Sequence, residues 1–161
     1  MKKIALVLFL LTSFAYAKDV KQEAFLSDWN SNCGSQTVSS SKICVLEKHL
    51  FYDKSMSKKM ISIGFRTAAN EPTVMTIISP LGALISEGVE VDIKGLPNKK
   101  LPFIFCDQGG CVSQIQLNDE MLSGLRKQKI IQMKYQLLNA NKAVVNFDIT
   151  GFDAAFAKIK Q

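Results

Sequence analysis

The sequence predicts a mostly β domain: an antiparallel β-sandwich of about eight strands with one or two short helices, stapled by two disulfides. Three observations carry this. Apolar and polar residues alternate with period two in about eight separate runs, as strands with one buried face require. Turn-forming clusters of Gly, Pro, Asn and Ser separate the runs. Four Cys, an even number, are spaced so that sequence neighbours can face each other across turns. With 47% hydrophobic and 21% charged residues, the 161-residue chain can fill one core and is neither disordered nor fibrous in composition.

The chain opens with Lys2-Lys3, the apolar run from Ile4 to Leu11, and Ala15-Tyr16-Ala17. A basic start, a short apolar stretch and an Ala-x-Ala exit read as a signal peptide over 1–17, cleaved after Ala17, followed by a single domain over 18–161. The apolar run falls short of the roughly 20 residues that span a bilayer. The expected location is therefore outside the cytoplasm: the periplasm or cell envelope, or secreted. No Cys follows the cleavage point, so no lipid anchor is expected.

Residues Lys18 to Phe25 read as a solvated leader. Strands are expected around Ile43, Val45, Leu46, Leu50 and Phe51, then Ile61 to Phe65 and Val74 to Ile78. Further strands are expected over Val89 to Ile93, Leu101 to Phe105, Ile131 to Leu137 and Val145 to Ile149. Turns fall at Asn70-Glu71-Pro72, Ser79-Pro80-Leu81-Gly82, Gly95-Leu96-Pro97-Asn98 and Asn139-Ala140-Asn141. Asn118 can cap a helix over Asp119 to Lys127, whose acidic first turn and basic end suit the helix dipole. Phe152, Ala155, Phe156 and Ile159 form one apolar stripe, predicting a second helix over Asp153 to Lys160.

An even Cys count in an exported chain points to disulfides. Of the three pairings that four Cys allow, the local one fits the turns. Cys106 and Cys111 flank Asp107-Gln108-Gly109-Gly110 between two apolar segments, so they oppose each other if those segments form a hairpin; Cys33 and Cys44 do the same across a polar connection. Loop-closure entropy gives roughly 2 kcal/mol for the shorter loop and roughly 3 for the longer. A redox dithiol would need two intervening residues at a helix start, and a zinc site about four ligands, whereas the chain has one His, His49, and no Cys-x-x-Cys.

Other chemistry finds no support in the residues. Gly-x-Ser-x-Gly, phosphate-loop and dinucleotide fingerprints are missing, and His49 reads as a partly exposed strand residue. Glu90 and Asp92 read as the solvated face of a strand, and Trp29 as core or as cover for a disulfide. No cofactor or metal is expected. Without Lys2 and Lys3 the chain keeps 18 basic and 14 acidic residues, a balance of +4 in small scattered Lys groups. That excludes a nucleic-acid binding pattern and allows weak attraction to anionic surfaces.

Five segments occur in the order seen in one known family: Trp29-Asn30-Ser31-Asn32-Cys33, Ser79-Pro80-Leu81-Gly82, Glu87-Gly88-Val89, Phe105-Cys106-Asp107-Gln108-Gly109-Gly110-Cys111 and Thr150-Gly151-Phe152-Asp153-Ala154-Ala155. In these the chain resembles the invasion associated locus B family, small exported proteins of Gram-negative bacteria named for a locus linked to the invasion of host cells. The resemblance implies an exported, β-rich, envelope-associated domain with a role in virulence, and supplies no catalytic residues. The expected function is binding of a protein or envelope component without turnover. The loop Asp107, Gln108, Gly109 and Gly110, held in one shape by its disulfide, is the expected contact site. Two other readings stay open: an exported inhibitor of lysozyme or protease type that would insert this loop into an active site, and an enzyme with a dispersed site.

Overall fold

The computed structural model describes residues 24–35 and 42–160; the expected signal peptide over 1–17 and most of the expected leader lie outside them. Among these residues eleven strands and two helices form, every strand pair being antiparallel. The strands are β1 (Phe25–Leu26), β2 (Asn30–Ser35), β3 (Lys42–Phe51), β4 (Lys59–Ala68), β5 (Val74–Ser79) and β6 (Val89–Asp92). They continue as β7 (Lys99–Leu101), β8 (Phe105–Asp107), β9 (Gly110–Gln116), β10 (Ile130–Gln136) and β11 (Lys142–Asp148). Helix α1 (Asp119–Lys127) follows β9, and α2 (Phe152–Ala157) follows β11.

A seven-stranded sheet runs β1-β3-β4-β5-β9-β8, with β2 also on β3, and a four-stranded sheet runs β11-β10-β6-β7. The alternation of the sequence is the alternation of burial. Leu46 and Leu50 of β3, Ile61, Ile63 and Phe65 of β4, and Met75 and Ile77 of β5 face inward from the larger sheet. Val89, Val91, Ile131, Met133, Val145 and Phe147 meet them from the smaller one in a single core.

The strand count exceeds the expected eight for two reasons. Phe25, expected in the leader, pairs with Phe51 in β1, and Trp29 introduces β2, whose polar sequence hides it from a periodicity test. The run from Leu101 to Phe105, expected as one strand, breaks at Pro102: Leu101 ends β7 in the small sheet and Phe105 begins β8 in the large one. Pro lacks the N–H that a continuing ladder needs. Ser113 pins the crossing by donating its hydroxyl to the Pro102 carbonyl at 2.9 Å.

Helix α1 has the expected bounds, with Asn118 Oδ1 accepting from the Met121 N–H at 2.8 Å. The second helix starts at Phe152, one residue before its expected start, and ends at Ala157, with Gly151 as its N-cap in the left-handed region. Phe152 stacks on Phe65 with ring centroids 4.6 Å apart, and Trp29 and Phe156 complete the cluster. The Trp29 indole N–H donates to the Thr150 carbonyl at 3.0 Å, and the ring packs, partly buried, against the core beside α2. Gly88, at φ +65, lies so close to β7 that a Cβ would stand 2.1 Å from the Leu101 carbonyl oxygen.

Truncating a buried aromatic removes its transfer energy and leaves a cavity, so Phe152→Ala should cost about 3–5 kcal/mol of unfolding free energy, measured by urea denaturation, and Phe152→Leu less.

Candidate functional site

The stapled loop is the first candidate. Cys106 and Cys111 are paired, directly opposite each other in β8 and β9, and Cys33 pairs with Cys44 across β2 and β3. Within the loop, Asp107 Oδ1 accepts from the Gly109 N–H at 2.7 Å, an Asx turn that shapes the tip. Gly110, at φ +131, presses against β5, where a Cβ would stand 2.3 Å from the Ser79 carbonyl oxygen. The loop is thus held twice, by its disulfide and by its seat on Ser79. Asp107, Gln108 and Gly109 are exposed while Gly110 is buried, so three of the four expected residues can touch a partner and the fourth sets the geometry.

Apolar side chains beside this loop went unnoticed in the sequence, because alternation assigned them to buried faces or turns. Ile104 is 58% exposed and Phe105 53% exposed on the edge of the large sheet. Beyond Ser79 the chain passes Leu81 and turns into residues 82–84, which run beside the end of β10. The Leu138 N–H donates to the Gly82 carbonyl and the Leu84 N–H to the Gln136 carbonyl, while Ala83 bridges Leu137. These bonds hold Leu138, Ile85 and Leu81 at 72%, 63% and 60% exposure. The end of the sandwich where β5 meets the stapled loop therefore carries both a rigid polar turn and exposed apolar groups.

His49 sits elsewhere, on the outer face of β3. Its Nδ1 lies 2.8 Å from Ser62 Oγ, and its Nε2 lies 3.7 Å from Glu47 Oε1. The order hydroxyl, imidazole, carboxylate matches a hydrolytic triad, yet Ser62 is buried beneath the ring, and its strand is hydrogen-bonded to β3 on one side and β5 on the other. Backbone donors aimed at an oxyanion, which acyl transfer relies on, have no place between two paired strands. The arrangement locks a cross-strand pair. Burial, with help from the Lys59 charge, lowers the His49 pKa against the opposing pull of Glu47.

Lys48 occupies an inward position of β3 between Leu46 and Leu50 and is only 7% exposed. Its ammonium stands 5.4 Å from the Trp29 ring centroid, a cation–π contact. Hydrogen bonds from Thr150 hold the Asp148 carboxyl below the usual carboxylate range, and the charges of Lys48 and Lys129 add to the effect. On the small sheet, Glu90 accepts from Asn98 and pairs with Lys134, as a solvated face does. Among the described residues no three of His, Cys, Asp or Glu converge as a metal site would require, and no helix is long and apolar enough to cross a membrane.

A family model described as "Invasion associated locus B (IalB) protein" matches residues 29–160. The crystal structure of invasion associated protein b from Bartonella henselae has a similar fold, with a TM-score of 0.69 and 18% sequence identity over 81% of this chain and 89% of that chain. No curated protein matches the sequence.

The neutral form of His49 is favoured in the folded state, so the stability it contributes is complete above the unfolded pKa near 6.5 and is lost as pH falls towards the lowered folded value. Replacing the ring by His49→Gln should flatten the decline in stability between pH 7 and pH 5, measured by urea unfolding at each pH; an unchanged slope would show that other groups carry it.

Proposed function

The chain belongs to the invasion associated locus B family, and from that premise we propose that it is an exported, envelope-associated binding protein that acts on a protein or envelope component without turnover and contributes to invasion of host cells. One observation carries the reading: the end of the sandwich with the doubly held polar loop also carries exposed apolar side chains, Ile104 and Phe105 in the chain leading to it and Leu81 and Leu138 beyond Ser79. Large apolar groups scattered singly need no explanation, whereas several brought together by fixed loops mark an interaction surface. A loop that is already rigid loses little entropy on docking, and polar groups next to exposed apolar ones are the two components of a protein interface.

The inhibitor reading uses the same loop, with the active site of a lysozyme or protease as the partner; Ile104 and Phe105 beside the turn would then pack against the walls of the enzyme cleft.

The test is chemical crosslinking of purified protein to envelope and host-surface extracts, with inhibition of lysozyme and proteases assayed in parallel. Asp107→Ala with Gln108→Ala, and separately Leu81→Ser with Leu138→Ser, should each leave the melting temperature within a few degrees of the parent. Both pairs should weaken capture about tenfold or more, since interface centres concentrate binding energy in a few groups. Capture unaffected by either pair would move the contact surface to the sheet faces.

A further inference from the structure

At the opposite end of β5 from the stapled loop lies a cleft of about 470 Å³ that the proposed binding surface does not use. Three walls enclose it: α1, the end of β4 with the β4–β5 turn, and the C-terminal segment around α2. The Leu117 N–H, donating to the Thr73 carbonyl at 2.8 Å, ties the β4–β5 turn to the start of α1. Thr67 Oγ1, donating to the Ile159 carbonyl at 2.7 Å, ties the end of β4 to the C-terminal wall. The cleft is therefore a fixed feature of the fold, and its volume is that of a small-molecule site.

Its lining is apolar at the base and charged at the rim. Pro72 and Leu122 supply the accessible apolar surface, while Leu117 and Phe156 lie almost wholly buried behind it. Along α1, Asp119, Leu122, Ser123, Arg126 and Lys127 fall on one helical face, spanning about 12 Å at 1.5 Å per residue. Two of the five rim charges are engaged in ion pairs. Glu71 pairs with Arg66 at 2.9 Å, and Arg126 pairs with Asp153 at 3.2 Å while its guanidinium covers the Phe156 ring. Asp119 lies in the first turn of α1, where the helix dipole favours a carboxylate. The side chains of Asp119, Lys127 and Lys160 make no hydrogen bond or ion pair among the described residues.

With one carboxylate, Asp119, against two ammonium groups, Lys127 and Lys160, the unpaired charge beside this apolar surface is positive on balance. We infer that this cleft binds a small amphipathic anion, an apolar chain or ring carrying one carboxylate or phosphate, with the apolar part on Leu122 and Pro72 and the anionic head at Lys127 and Lys160. A cationic amphiphile would bring a third positive charge to the two Lys, and a neutral one would leave both unpaired. Such an anion could arrive as a free amphiphile or as a lipid in an anionic membrane, two sources of one chemistry.

Isothermal titration of the mature protein with sodium decanoate tests this, with decyltrimethylammonium as the charge control. Decanoate should bind at one site, and decyltrimethylammonium should not. The double reversal Lys127→Glu and Lys160→Glu, at two exposed positions, should weaken decanoate at least tenfold, and Ser123→Trp, which fills the cleft, should abolish binding without lowering the melting temperature. Flotation with phosphatidylglycerol vesicles separates the sources: vesicle binding lost in these variants assigns a lipid, and decanoate binding without vesicle binding assigns a free amphiphile. Absence of decanoate binding, equal binding of the cationic control, or full binding by both variants would overturn the inference.

Discussion

The contact between Phe65 and Phe152 organises the molecule. Two sheets packed face to face leave their ends open, and at one end the core would meet water at Phe65, in the middle of the large sheet. Phe152 covers it at 4.6 Å, and through it α2 becomes the lid of that end. Trp29 packs on both rings and fixes the link between β1 and β2, while Phe156, one turn further along α2, lies under Arg126 of α1. Aromatic pairs in tilted geometry add about 0.5–1.5 kcal/mol each beyond the area they bury. The greater consequence is positional: without this cluster neither α2 nor the wall that α2 gives the cleft would have a fixed place.

That dependence explains which parts of the fold were legible in the sequence. Period-two alternation reports on a strand and the face it buries, so β3, β4, β5, β6, β10 and β11 could be read directly. Helix α1 was equally legible because its cap and terminal charges are local chemistry. Local chemistry also placed both disulfides, since each closes a hairpin. The crossing at Pro102 was not legible: Leu101, Phe103 and Phe105 keep perfect alternation, and only the tertiary structure shows that Leu101 and Phe105 belong to different sheets. Lys48 is the opposite case. Its charge argues for an outward position, while its parity with Leu46 and Leu50 places it inward, and a Trp ring brought from the preceding link makes that position tolerable.

The candidate surface was half legible for the same reason. The loop from Asp107 to Gly110 declares itself by its Cys pair and Gly residues. The apolar groups around it do not, because Leu81, Ile85 and Leu138 stand in turns that are distant in sequence and meet only when residues 82–84 run beside the end of β10. The fold itself tolerates wide change in sequence: a similar structure shares only 18% of its residues with this chain. Binary patterning and turn chemistry suffice to specify such a sandwich. Position-specific demands are fewer, and Gly88 and Gly110 are among them, since each lies where a side chain would collide with a neighbouring backbone carbonyl.

Strand β5 connects the two regions that have chemistry to offer. It leaves the β4–β5 turn beside the cleft at Val74 and delivers Ser79 to the stapled loop, roughly 17–20 Å away for six extended residues. Between these ends it is hydrogen-bonded to β4 on one side and β9 on the other, with Met75 and Ile77 fully buried. Moving a strand so confined would break both ladders, and coupling between distant sites needs an element with two discrete arrangements. The proposed sites at the cleft and at the loop end would therefore be independent of each other. An anion held at one end leaves the contact surface at the other unchanged in shape, so a ligand in the cleft would anchor or orient the protein and would not switch its binding.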